Sequence, residues 1–136
     1  DNRLLIFLTA IKPDPGPLGF AAVGPAAIMV SNPDDPPTSW TIRRLALPKQ
    51  TFGVLIGSAC LLIDQGYLYG YGSLDNDYRQ VFLVRWPLAK ARAGELTQPD
   101  WWTGTSSGWA PHHKTAERPP ALFNDGQTEF TVHRQG

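Results

Sequence analysis

Residues 54–71 read VLIGSACLLIDQGYLYGY, and this stretch decides the fold. Val54 to Ile63 is the most apolar segment of the chain, and Asp64-Gln65-Gly66 supplies turn residues directly behind it. Tyr67 to Tyr71 then alternates aromatic residues with Leu68 and Gly70. An apolar run, a short reversal and a period-two pattern predict two antiparallel strands joined by a tight turn.

Outward from this hairpin, the same vocabulary repeats. Leu4 to Ile11 is a continuous apolar run closed by Lys12-Pro13-Asp14-Pro15-Gly16-Pro17, where prolines and glycine mark a loop. Phe20 to Ser31 forms a second apolar stretch, stopped by Asn32-Pro33-Asp34-Asp35-Pro36-Pro37. Trp40 to Leu47 and Val81 to Trp86 are rich in strand formers. Only Leu88 to Leu96 reads as helical, a piece of about two turns kept short by Pro87 and Gly94. Thirteen glycines and thirteen prolines in 136 residues leave no room for many long helices.

These segments pair up along the chain. Leu5-Ile6-Phe7-Leu8 corresponds to Leu68-Tyr69-Gly70-Tyr71, and Ala27-Ile28-Met29-Val30 to Val81-Phe82-Leu83-Val84. Trp40 corresponds to Trp101-Trp102, and Ser58-Ala59-Cys60-Leu61-Leu62 to Thr128-Glu129-Phe130-Thr131-Val132. Four strands in roughly 50–60 residues is the period of a β-propeller blade. The expected fold is therefore all-β, built of antiparallel four-stranded propeller blades. About two blades are present, incomplete at both ends: residues 1–48 a partial blade, 53–102 a complete one and 121–136 the start of the next. A propeller closes with ~4–8 blades, so either the missing blades of a longer chain or further copies of this one are expected to complete the sheets. Asp1-Asn2-Arg3-Leu4 carries neither an initiator methionine nor a signal-peptide pattern, so a removed leader or a longer parent chain is expected.

Charge and cysteine content narrow the function classes. Twelve basic residues balance twelve acidic ones, which gives neither the basic face that nucleic acid needs nor a polybasic patch for an anionic membrane. No apolar stretch approaches the ~18 residues of a membrane span. The single Cys60 excludes an intrachain disulfide and a multi-cysteine metal cluster, and its apolar surroundings read as those of a small buried hydrophobe. No P-loop, dinucleotide fingerprint or calcium loop is present, so neither cofactor nor metal is expected. Gly104-Thr105-Ser106-Ser107-Gly108 matches the nucleophile-elbow pattern but precedes Trp109-Ala110-Pro111, where no regular helix opens. His112 and His113 are adjacent and point apart in extended chain, a spacing unsuited to shared metal ligation, and read as a loop pair titrating near neutrality.

The hairpin words, followed by Val81-Phe82-Leu83-Val84-Arg85-Trp86-Pro87-Leu88-Ala89, Trp101-Trp102-Thr103-Gly104, Gly108-Trp109 and Thr128-Glu129-Phe130-Thr131-Val132-His133, resemble bacterial five-bladed β-propellers of an uncharacterised-domain family that includes endo-D-arabinanase-like glycoside hydrolases. Cys60 and Arg85-Trp86 depart from the family words, and the likeness covers roughly residues 50–134. The resemblance implies a carbohydrate ligand or substrate, acidic residues on inner strands around a central funnel, and a secreted or periplasmic bacterial location. Glycoside hydrolysis requires two carboxylates flanking the scissile bond. Glu129, set in an apolar strand, is the candidate proton donor; a solvent-facing carboxylate, or one paired with Arg134, is the competing reading. Its catalytic partner is expected outside this chain. Asp75 and Asp77 sit in the loop before the third strand of the complete blade, as ligand contacts or as turn formers, while Asp64 reads as a turn former. Trp86, Trp101, Trp102 and Trp109 with Tyr67, Tyr69 and Tyr71 offer ring faces for sugar stacking or for core and inter-blade packing. Trp109 and Tyr71 are the ligand candidates among them, and Trp109, behind a Thr-Ser-Ser-Gly loop, is expected to be the most exposed tryptophan. The competing reading is a non-catalytic binding or assembly module that self-associates.

Overall fold

A computed structural model of the chain describes residues 2–74, 76, 78–127 and 130–135. The chain is all-β with antiparallel strands and one short helix. Strands β1 (Leu4–Pro13), β2 (Phe20–Val30) and β3 (Ile42–Leu45) form one sheet in the order β1-β2-β3. Strands β4 (Leu55–Asp64), β5 (Tyr67–Ser73), β6 (Val81–Pro87), β7 (Asp100–Trp102) and β8 (Trp109–Pro111) form a second sheet in sequence order. Neither sheet closes on itself.

The decisive hairpin is as its residues demand. Gln65 and Gly66 both take positive φ, 44° and 79°, the requirement of the type I′ turn whose twist matches its flanking strands. Asp64 pairs with Tyr67, Leu62 with Tyr69 and Cys60 with Tyr71. Beyond Cys60 the register shifts, because residues 56–59 bulge out of β4 before Leu55 meets Ser73. Gly57 allows the bulge through φ +75°.

β3 starts at Ile42 rather than at Trp40 because Asn32 holds the preceding loop together. Its side-chain amide donates to Asp35 Oδ2 (2.7 Å) and to the Ser39 carbonyl (3.0 Å), and its Oδ1 accepts from Thr41 N–H (2.6 Å). Helix α1 (Leu88–Ala93) ends two to three residues earlier than its propensity suggests. Gly94 closes it in the left-handed conformation at φ 80°. Arg3 and Arg43 donate to the last-turn carbonyls of Arg92 and Ala93 (3.2 and 3.3 Å), placing cations at the negative end of the helix.

The two sheets pack face to face. Ala27, Met29 and Leu45 of the first sheet meet Ile56, Leu68, Phe82, Val84, Trp86 and Trp101 of the second, with Ala91 of α1 and Leu96 closing the core. Trp86 is the joint of this interface. It is fully buried, its ring lies 5.6 Å from Phe7 of the facing sheet, and its indole N–H donates to the Leu96 carbonyl at 3.0 Å.

Three differences from the sequence reading have local causes. β8 adds a fifth strand after the four expected over 53–102, because the Gly104–Gly108 loop folds back as a hairpin: Thr103 N–H donates to the Gly108 carbonyl (2.8 Å) and Trp102 pairs with Trp109. That geometry also disposes of the elbow motif, since a strand and not a helix follows it. The described residues of the segment expected to open a third blade, Phe130 to Gln135, form no strand; Phe123 instead makes an isolated bridge to Val81. Cys60 is half-buried rather than enclosed.

Candidate ligand-binding face

Alternation along β5 places Leu68, Gly70 and Gly72 against the first sheet and turns Tyr67, Tyr69 and Tyr71 to the opposite face. Cross-strand pairing then determines what joins them there. Tyr69 stands opposite Arg85, and Arg85 opposite Asp100. Trp102 and Trp109, paired across the β7–β8 hairpin, complete the row.

On this face Arg85 is the organising residue. Its guanidinium lies 4.2 Å from the centroid of Tyr67 on one side and 4.2 Å from that of Trp109 on the other. Its Nε–H donates to Asp100 Oδ2 at 3.3 Å. Each cation–π contact is worth roughly 0.5–2 kcal/mol depending on desolvation, and the pair fixes a charge in a row of otherwise flat rings. Tyr67–Tyr69, Tyr69–Trp109 and Trp102–Trp109 follow at centroid distances of 6.1, 5.8 and 5.3 Å. Further along, Tyr71 meets Phe130 edge-on at 5.9 Å, and Phe130 meets Phe123 at the same distance. Burial raises the Tyr71 phenol above its usual range, with Cys60 and Tyr69 adding in the same direction. Tyr67, Tyr69, Arg85, Asp100, Trp102 and Trp109 are all half-buried, so their edges and faces reach solvent while their positions are held.

Of the site residues named from the sequence, Trp109 and Tyr71 lie on this face, Trp109 against Tyr69 and Tyr71 against Phe130. Trp109 is not the freely exposed ring expected, because Trp102, Tyr69 and Arg85 pack around it. Glu129, Asp75 and Asp77 lie outside the described residues. Asp64 ends β4 at the turn and forms an ion pair with Arg134 at 2.9 Å, so the partner weighed for Glu129 is engaged by Asp64. Sequence reading named Tyr67, Tyr69 and Trp102 among the ring faces offered for stacking, grouped them with Trp86 and Trp101, which are buried in the core, and missed Arg85 and Asp100. The signal was present in the Tyr-x-Tyr-x-Tyr alternation and in an arginine set mid-strand in VFLVRW, where a charge requires a partner.

His112 departs from the plain loop pair expected. It opens a 3-10 turn (His112–Lys114) and its Nδ1 accepts the indole N–H of the buried Trp101 at 3.0 Å. That bond requires an unprotonated Nδ1. Burial, reinforced by the neighbouring His113, lowers its pKa from the usual histidine value. The unfolded chain therefore binds the proton more readily than the folded one, and stability declines as pH falls from ~6.5, the ordinary histidine pKa, toward the lower folded value. The expected result is that His112→Gln flattens this part of the urea-midpoint-against-pH profile between pH 7 and 5; an unchanged slope would assign the effect elsewhere.

Among the described residues no group of three His, Cys, Asp or Glu side chains comes together to hold a metal ion, and no helix is long and apolar enough to cross a membrane. No family model, curated protein or solved structure matches the chain.

Proposed function

We propose that the chain is a carbohydrate-binding, propeller-derived unit of the glycoside-hydrolase-like type, and that the β5–β6–β7–β8 face is its glycan platform. The observation that carries the reading is Arg85 held between Tyr67 and Trp109 and tied to Asp100. A sugar presents apolar C–H faces with hydroxyls around the rim. Flat rings flanking a fixed donor and acceptor match both features, and aromatic rings with a wet edge suit such a surface. Consecutive antiparallel strands packed as two face-to-face sheets support the blade reading.

Binding stands ahead of cleavage. Hydrolysis needs two carboxylates across the bond, whereas on this face Asp100 is the described carboxylate and it is engaged by Arg85. Affinity electrophoresis through immobilised furanoside and pyranoside polymers tests the platform. Retardation by one polymer class is expected for the wild type, with Trp109→Ala and Arg85→Gln each weakening it by about 30-fold, the ~2 kcal/mol of an anchoring side chain. Retardation unchanged in both variants would remove the face from any glycan role. Product release from the same polymers, lost in Glu129→Gln, would restore the hydrolase reading.

One observation favours the assembly reading. β1 is an edge strand of the first sheet, and its Leu4, Leu8 and Ile11 stand 38%, 42% and 57% exposed. Unpaired edges with apolar flanks recruit other strands. A mass above one chain by light scattering at micromolar concentration is its expected signature; a well-dispersed monomer rules it out.

A further inference from the structure

We propose that a second site, remote from the aromatic face, binds a single-chain amphiphile with an anionic head. A cleft of about 560 Å³ opens beside the β4–β5 turn, between the start of β1, the end of β4 and helix α1. That volume falls within the ~300–1,000 Å³ of small-ligand sites. Leu5 and Met29 of the first sheet, with Leu61, Ile63 and Leu68 on the inner face of the second, supply its walls. Their side chains offer no strong hydrogen-bonding group, so the occupant whose burial is favoured is an alkyl chain, at about 25 cal/mol per Å² of apolar surface removed from water.

The rim is different in kind. Arg3 and Arg92 stand there, and Arg3 Nη1 donates to the Arg92 carbonyl at 3.2 Å, which gathers two cationic residues on one edge. No residue lining the cleft carries a carboxylate. The Arg92 guanidinium makes no hydrogen bond or ion pair with a described residue, while Arg3 is engaged. An apolar slot with a cationic lip is complementary to an alkyl chain ending in a carboxylate or phosphate, which a guanidinium binds through paired N–H donors. The site shares no residue with the aromatic platform, so the two readings stand or fall separately.

Titration calorimetry with decanoate, decyl phosphate and 1-decanol, each below the concentration at which it aggregates, tests the proposal. Saturable one-to-one binding of decanoate is expected, at least tenfold tighter than 1-decanol. Arg92→Glu, an exposed change on α1, should weaken decanoate at least tenfold and leave 1-decanol unchanged. Ile63→Trp should block both by filling the slot. Decyl phosphate binding like decanoate supports an anion-general rim, and carboxylate-only binding supports a carboxylate-selective one. Equal affinity for decanoate and decanol, indifference of decanoate to Arg92→Glu, or absence of saturable binding would each overturn the site. Should Ile63→Trp fail to fold, the Arg92→Glu comparison decides alone.

Discussion

Trp86→Ala is expected to be the most damaging single substitution for stability, costing about 4–6 kcal/mol. Two terms add. Truncating a fully buried tryptophan costs roughly 3–5 kcal/mol in lost burial and residual cavity, and here the cavity opens between two sheets, against Phe7 and Gly70. The second term is polar. The indole N–H satisfies the Leu96 carbonyl, and Leu96 is itself 0% exposed, so the truncation leaves a buried acceptor without its donor at a cost of about 1 kcal/mol. With a urea m-value near ~2 kcal/mol/M, the midpoint should fall by about 2–3 M. Trp86→Phe separates the terms: it keeps most of the ring and forfeits the hydrogen bond, so its cost should stay near about 1–3 kcal/mol. If Trp86→Ala costs less than about 1.5 kcal/mol, the contact between the sheets does not depend on this ring.

The second large effect lies at Gly57. A Cβ there would sit 2.5 Å from Cδ1 of Phe7, and the backbone has φ +75°. The left-handed conformation costs a side chain about 1–2 kcal/mol, and forcing a methyl into a packed interface a further 1–3 kcal/mol, so Gly57→Ala should destabilise by roughly 2–5 kcal/mol. The two contributions respond differently to the facing residue. In a Phe7→Ala background the overlaps with Cδ1 and Cγ disappear, leaving the backbone part and a tight 3.1 Å approach to Cβ, so the cost of the same glycine change should fall toward about 1–2 kcal/mol. A double-mutant cycle by urea denaturation reads this coupling directly. Equal costs in the two backgrounds would show that the bulge, not the Phe7 ring, requires glycine.

These two sites mark where sequence reading succeeded and where it stopped. The Asp64–Tyr67 reversal, the strands on either side and the shortness of α1 were legible because each rests on neighbours in the chain: Gly66 for the turn, alternation for β5, Pro87 and Gly94 for the helix. The bulge at Gly57 was not, since Gly-Ser-Ala inside an apolar run reads as continuous strand, and the reason for glycine is a ring 50 residues away. β8 was missed for a related reason: three residues ending in Pro111 carry no periodic signal, and the strand exists only because Trp109 finds Trp102. The candidate face was half visible. Trp109 and Tyr71 were named one by one, but Arg85 entered only as a departure from a family word. Its meaning required the register that sets it opposite Tyr69 and Asp100. Face-for-face matching also shifts the internal repeat by one residue. Leu5 and Phe7 look inward to the second sheet, whereas Tyr69 and Tyr71, not Leu68 and Gly70, occupy the corresponding side of their own sheet.

Strand order has a consequence for how the chain finds its shape. Within each sheet the strands pair in sequence order, so each meander assembles through loop closures whose entropy grows slowly with their modest lengths. Relative contact order is therefore low for a β protein within each sheet. The expensive step is docking one meander on the other, and Phe7 reaching across to Trp86 and Gly57 closes a long stretch of intervening chain in that step. The stretch between β3 and β4 acts as a tether that sets the effective concentration of two preformed halves.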